Sequence, residues 1–346
     1  MKTTFPLSEL QQTLLRWWRR EGRVLPWRQK QHSTQSQLHS QQLAADATLL
    51  EVRDHAFAEY LAPHLHRDPY RVVVAELMLQ QTQVDRVLPK YLAWMKRWPT
   101  TSELAQTPLA EVLIFWQGLG YNRRARFLWL LAQQIEERSG KWPQTEEELL
   151  KLPGIGKYTA RAIMSFAFGL QVAVVDTNVK RVLRRLAEGK EAAAVPIPSE
   201  KEWFAFADSV LPADQADPWN QLIMDFGALV CTAKAPRCEN CPAQRYCAAQ
   251  KAAVQAGYQT YREYLAVQLR SQEKSQKKMV RFEDTDRYFR GRIMDILRQG
   301  PVTHPLLAER MEKEFGLSDQ SRLMKLVQKL SEERLVTVSN LTLKLG

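Results

Sequence analysis

Leu152-Pro153-Gly154-Ile155-Gly156-Lys157-Tyr158-Thr159-Ala160 sets a Pro-Gly-x-Gly turn against an apolar helical run that reaches Phe168. Two glycines at a helix entrance let backbone N–H groups and the helix amino terminus approach a phosphate closely, and Lys157 adds positive charge. The plain alternative is a tight connection between two helices. The same helical texture extends outward. From Leu88 to Phe226 apolar residues recur at helical spacing, broken briefly at Pro99, Pro108, Gly118, Gly120 and Gly140, with little strand alternation. An all-α body is expected over residues 1–250.

The chain has 346 residues, more than one compact core usually holds, and its 45% hydrophobic and 25% charged content is that of a folded globular protein. Forty-nine basic against 38 acidic residues give a net charge of +11, which suits a polyanionic partner such as nucleic acid or an anionic membrane surface. No apolar run is long enough to span a bilayer, and the segment Met1-Lys2-Thr3-Thr4-Phe5-Pro6 lacks the features of a signal peptide, so a soluble intracellular protein is expected.

Ser8 reads as a capping-box start for a helix carrying Leu10, Leu14, Leu15 and Trp18, with Gly22 as its stop. In Trp17-Trp18-Arg19-Arg20 the expectation is that Trp18 faces the core and the arginines face solvent. Asp68-Pro69 opens an unusually apolar helix over Tyr70 to Thr82. Glu76 lies inside it, in Val72-Val73-Val74-Ala75-Glu76-Leu77-Met78-Leu79, where desolvation favours the protonated acid. Asp176, in Val174-Val175-Asp176-Thr177-Asn178-Val179, ends an apolar run just before a helix over Val179 to Leu186, where backbone N–H groups favour the anion. Two carboxyls pushed apart in this way are what cleavage of an N-glycosidic bond needs, one to protonate the leaving group and one to support the sugar cation. The alternatives are a buried salt-bridged glutamate and an ordinary helix cap. All four cysteines form the pattern Cys231-x6-Cys238-x2-Cys241-x5-Cys247, which by spacing alone fits either zinc or an iron-sulfur cluster.

The hairpin followed some twenty residues later by Asp176 resembles the helix-hairpin-helix DNA glycosylase superfamily. Glu76-Leu77-Met78-Leu79-Gln80-Gln81-Thr82-Gln83-Val84 looks like its MutY-like adenine glycosylase branch, as do Leu25-Pro26-Trp27-Arg28, Gly118-Leu119-Gly120-Tyr121 and the run from Asn220 to Gly227. The resemblance covers about residues 8 to 250, apart from the loop after Arg28. It implies that Glu76 is the catalytic acid, that Asp176 stabilises the sugar cation, and that Tyr158 and Asn178 assist. It implies that Gln81 and Tyr121 insert into the base stack, that Gly154, Gly156, Lys157 and Arg237 meet DNA phosphates, and that Trp27, Arg28 and Leu79 line the base pocket. A 4Fe-4S cluster on the four cysteines, double-stranded DNA as partner, a monomeric state and a nucleoid-associated cytoplasmic location follow from the same likeness. Glycosylases of this fold that also cut the strand carry a lysine where this chain has Tyr158, because a Schiff base needs an amine. A monofunctional enzyme is therefore expected.

The expected layout is an amino-terminal helix over 1–28, a Gln-rich insertion with a short helix over 29–67 and a helical subdomain with the hairpin over 68–170. A cluster subdomain over 171–250, a linker over 251–280 and a winged-helix-like domain over 281–346 follow. The last rests on amphipathic helices from Thr285, Thr303 and Ser318 and on a small hairpin about Ser339-Asn340. It resembles the short extension of some bacterial adenine glycosylase relatives and shows no pattern of a Nudix-like β domain. Adenine opposite 8-oxoguanine or guanine is the expected target. Thymine or uracil opposite guanine, and a non-catalytic DNA-binding regulator, are the alternative readings.

Overall fold

Helices form where apolar spacing dictates them and stop where the backbone turns left-handed. The computed structural model describes residues 6–28, 67–189, 198–273 and 281–346, so the expected Gln-rich insertion with its short helix lies outside the described residues. The described chain divides into two compact units. Of the described residues, one holds 6–28, 67–72, 144–150, 155–189 and 198–273, and the other holds 73–143, 151–154 and 281–346.

Helix α1 (Leu7–Glu21) begins after Pro6 with no side-chain cap, so the capping box expected at Ser8 does not form; the proline ring already holds φ at −66°. Both Trp17 and Trp18 are buried, while Arg19 and Arg20 face solvent. Asp68 accepts a hydrogen bond from the Tyr70 N–H at 2.8 Å and so opens α2 (Pro69–Leu79). This helix ends three residues before the expected Thr82, at its last apolar residue, because Gln81 adopts φ +56°.

The first unit packs α1 against α9 (Thr177–Ala187), α10 (Glu200–Ser209) and α11 (Ala216–Leu229), around a core that includes Leu14, Trp18, Val182, Trp203, Trp219 and Phe226. It also contains α7 (Glu146–Leu149) and α8 (Lys157–Phe166). Beyond the cysteines, α12 (Ala248–Gln255) and α13 (Tyr261–Glu273) occupy most of the expected linker. They are folded because Tyr261 and Leu265 bury against Ala249 and Ala253.

The second unit contains α3 (Val84–Arg97), α4 (Thr101–Gln106), α5 (Leu109–Phe115) and α6 (Arg123–Glu137). Trp94 meets Trp98 and Trp116 edge-on with ring centroids 4.7 and 5.6 Å apart. The carboxy-terminal residues of this unit run α14 (Asp286–Arg298), β1 (Val302–Thr303), α15 (His304–Phe315), α16 (Gln320–Glu332), β2 (Val336–Ser339) and β3 (Thr342–Leu345). The antiparallel sheet has order β1-β3-β2, with Val302 opposite Leu343 and Val336 opposite Leu345. Three helices backed by such a sheet make a winged helix. Arg298 ties it to the rest of its unit by donating to the Leu113 carbonyl at 3.1 Å and to Asn122 Oδ1 at 2.8 Å.

Candidate active site

Asp176 is the N-cap of α9. Its Oδ1 accepts from the Val179 N–H at 2.6 Å, and its Oδ2 accepts from Asn178 Nδ2 at 2.9 Å. Asp176 is thus an ordinary helix cap as well as an expected site residue, held by backbone on one oxygen and by Asn178 on the other. Asn220 fixes the approach to it. Its Oδ1 accepts from the Val174 N–H at 3.0 Å, and its Nδ2 donates to Ser165 Oγ and the Val172 carbonyl, both at 2.9 Å. Arg181 donates to Asn178 Oδ1 at 2.9 Å, to the Gly227 carbonyl at 2.8 Å and to the Cys231 carbonyl at 2.9 Å. A continuous set of hydrogen bonds therefore joins the cysteine loop to Asp176, and the sequence reading did not single out Arg181. Gly227 makes this approach possible, since a Cβ there would stand 2.9 Å from the Cβ of Asn178.

Glu76 is 8% exposed within α2, among Val72, Val73, Leu77 and Met78, which are all buried. Leu79 closes the helix and is half-buried. The turns that follow carry Gln81, which is exposed, and Tyr121, which is half-buried; both have positive φ, +56° and +47°. Arg124 braces both turns. It donates to the carbonyls of Leu77, Met78 and Gln80 on one side and to those of Leu119 and Gly120 on the other, at 2.5 to 3.0 Å. Burial pulls its pKa down to about 10, still well above neutral pH, so the clamp stays charged. A guanidinium among unpaired helix-end carbonyls is a C-terminal cap built from a distant residue, and nothing in the local pattern announces it.

At the hairpin, Gly154 needs to be glycine on two counts. Its φ is +76°, and a Cβ would stand 2.7 Å from Phe127 Cβ. Gly156 is the N-cap of α8, is exposed and has open space where a Cβ would go, so the α8 amino terminus is accessible. Lys157 and Tyr158 are the first two residues of α8, about 100° apart around the axis. Tyr158 is half-buried, whereas Lys157 turns to α10, over the Phe204 ring at 4.7 Å and 3.9 Å from Glu200. Arg237 is exposed in the cysteine loop and has no ion-pair partner among the described residues.

Trp27 and Arg28 form a buried 3-10 turn, Pro26–Arg28. Arg28, expected to line the base pocket, is committed to Asp225 through two hydrogen bonds of 2.7 and 2.9 Å. Arg23 and Trp18 Nε1 complete the shell of this fully buried carboxylate. Burial alone would push the Asp225 carboxyl up, but the Arg28 and Arg23 guanidiniums hold it well below the usual carboxylate range. Asp225 lies in the Asn220 to Gly227 run, and its partnership is invisible in the sequence because the carboxylate sits in α11 and the guanidiniums near the amino terminus.

The four cysteines are free and half-buried. Burial pushes the Cys238 thiol up to about 11 and raises Cys241 and Cys247 as well, and neighbouring cysteines add to each rise. Thiolates that mutually oppose ionisation fit a donor set completed by a multiply charged metal centre. Arg185 donates to Cys231 Sγ at 3.6 Å and to the carbonyls of Thr232 and Ala233, so a cation already faces the set. Among the described residues no three His, Cys, Asp or Glu groups have the arrangement of a single-ion site.

The family model described as "HhH-GPD superfamily base excision DNA repair protein" matches residues 74–203. The adenine DNA glycosylase of Mycolicibacterium smegmatis is 39% identical over 242 residues, 69% of this chain and 75% of that protein. The one of Mycobacterium tuberculosis is 36% identical over 275 residues, 78% of this chain and 82% of that protein. The human adenine DNA glycosylase is 39% identical over 242 residues, which span 39% of its length. Among solved structures, a thermostable thymine-DNA glycosylase matches with a TM-score of 0.56 at 26% identity, over 71% of this chain and 97% of the other. The first match defines the class, that of base-excision DNA repair proteins. Within it, the chain belongs to the adenine DNA glycosylase family.

Proposed function

We propose that the protein is a monofunctional DNA glycosylase that acts as a monomer on duplex DNA and removes adenine mispaired with 8-oxoguanine or guanine. The observation that carries this reading is the contrast between two carboxyls in a chain of this family: Glu76 set in an apolar helix and Asp176 held at a helix amino terminus by Val179 and Asn178. The target nucleotide leaves the stack. As the bond between the sugar C1′ and the base breaks, its electron pair passes to the base and Glu76 delivers the proton that makes the base a neutral leaving group. Asp176 faces the positive charge that develops on the sugar. Water then adds at C1′ and loses a proton to the emptied Glu76 carboxylate, leaving an abasic site. Trp27 and Leu79 flank the base. Gln81 and Tyr121 fill the gap in the stack, and the open α8 amino terminus with Arg237 takes backbone phosphate.

Cys231, Cys238, Cys241 and Cys247 would hold a 4Fe-4S cluster. That group would fix the loop that carries Arg237 and, through Arg181, the orientation of Asn178 and Asp176. Iron on analysis with an absorbance shoulder near ~400 nm supports it, and zinc, being d10 and spectroscopically silent, would contradict it.

Tyr158 supports hydrolysis without strand cutting, since it offers no amine and Lys157 is turned to Glu200 and Phe204. A borohydride-trapped enzyme–DNA adduct in high yield would contradict this. The second reading is thymine opposite guanine, favoured by the likeness to the thymine-DNA glycosylase structure. Single-turnover assays on adenine·8-oxoguanine, adenine·guanine and thymine·guanine duplexes decide between them. Release of adenine from the first two is expected, and release of thymine alone would overturn the adenine reading.

A further inference from the structure

Gln81 and Tyr121 open on one recess of about 720 Å³, whose other wall is the winged helix of the same unit, through Phe282, Arg287 and Arg292. Two non-glycine residues with left-handed backbone on a single recess, both braced by Arg124, are a strained arrangement of the kind that clusters at ligand clamps. Arg287 projects from the first turn of α14, and its guanidinium carbon lies 4.0 Å from the centre of the Tyr121 ring. Its neighbours on the winged helix have carboxylate partners. Arg290 pairs with Glu333, Arg292 and Arg298 with Asp295, and Arg322 with Asp286. Arg287 is exposed and, among the described residues, has rings but no carboxylate or hydrogen-bond acceptor.

Chemistry narrows what would complete this arrangement. A guanidinium stacked on an aromatic ring is satisfied on its face and keeps five N–H donors along its edge. Arg86 and Arg123 line the same recess, and Arg287 sits close enough to Arg124 to press on its charge. The two carboxylates in the lining, Asp295 and Glu333, are already taken by arginines. The recess therefore collects more positive charge than its two carboxylates offset, next to side chains expected to enter a base stack. A phosphodiester meets all these terms at once, presenting acceptor oxygens, a negative charge and a geometry that a guanidinium fork engages.

We propose that Arg287, stacked on Tyr121, binds a DNA phosphate beside the Gln81–Tyr121 wedge, so that the winged helix forms part of the surface that grips the mispaired site. This inference rests on the glycosylase reading and adds to it a partner for the carboxy-terminal fold.

Binding of the full-length protein is measured by fluorescence anisotropy on a duplex with 2′-fluoro-2′-deoxyadenosine, which resists excision, opposite 8-oxoguanine. A fully matched duplex serves for comparison, and salt is varied between about 50 and 200 mM. Arg287→Ala should weaken binding to the mispaired duplex about tenfold, with a smaller loss on the matched one. It should also make the slope of log affinity against log salt shallower by about one, with an unchanged unfolding midpoint. Arg287→Lys should keep the wild-type slope and recover only part of the affinity, because an ammonium keeps the charge but not the planar stack. Wild-type affinity and slope in Arg287→Ala overturn the proposal, as does a loss of affinity with an unchanged slope, which would make Arg287 a packing residue. If the wild type releases no adenine from any mispair while Arg287→Ala still flattens the slope, the adenine reading fails and the phosphate contact stands. If the wild type releases adenine and Arg287→Ala binds as it does, the contact alone fails.

Discussion

Asp176 and Asp225 lie on two packed helices of one unit, α9 and α11, yet their carboxylates are used in opposite ways. Asp225 is fully buried, and both its oxygens are saturated by Arg23, Arg28 and Trp18. Asp176 is half-buried and is held by one backbone N–H and one amide, with no arginine bound to it directly among the described residues. A carboxylate neutralised by guanidiniums has little attraction left for a substrate cation, whereas one oriented by neutral dipoles keeps it. The Asp225 shell fixes the amino-terminal helix to the core, and the proposed role of Asp176 needs a carboxylate left outside such a shell.

The sharpest separation comes from Asp176→Asn. Asparagine caps a helix about as well as aspartate, so the unfolding midpoint should hold while the single-turnover excision rate drops by roughly a thousandfold or more. Wild-type-like excision would make Asp176 a cap and nothing else. Asp225→Ala should do the reverse. It removes the carboxylate paired with the buried Arg28 and the half-buried Arg23 and should cost about 3–5 kcal/mol in denaturant unfolding, while molecules that remain folded still excise. Gly227→Ala tests the link between the two helices. A methyl 2.9 Å from Asn178 Cβ should cost about 1–3 kcal/mol and also lower the excision rate, since Asn178 holds Asp176; a stability loss with an unchanged rate would break that link.

Acid gives the smallest and most graded effect. The folded carboxyl of Asp225 titrates below its unfolded value of about 3.9, so its stabilisation is complete above that pH and fades as pH falls through and below it. The stability difference between the wild type and Asp225→Asn should therefore be constant near neutrality and shrink below about pH 4. A difference that grew on acidification would contradict the sign.

What the sequence revealed and what it hid follow from range. The helical body, the Asp176 cap and the three helices and hairpin of the winged helix were legible, because capping residues, apolar period and turn chemistry act over a few positions. The folded state of α12 and α13 was hidden, since the burial of Tyr261 and Leu265 depends on residues across a turn rather than on local polarity. The early end of α2 was hidden too, because Gln80, Gln81 and Thr82 carry no local stop signal and the carbonyls at the helix end are gathered by Arg124, more than forty positions away. Motif likeness picked out Arg28 but not its partner. The residue's identity is local information, while its commitment to Asp225 depends on a partner nearly two hundred positions away. Arg181 and Arg185 escaped notice for the same reason, as basic residues on a helix read first as a solvated face.

The most direct test of the account is single-turnover release of free adenine from an adenine·8-oxoguanine duplex by the wild type and by Glu76→Gln, with binding to the same duplex measured in parallel. The wild type should release adenine and leave an uncut strand with an abasic site, while the variant binds DNA about as well and releases none on the same timescale. Adenine release by Glu76→Gln at the wild-type rate would contradict the proton-donor role on which the mechanism turns.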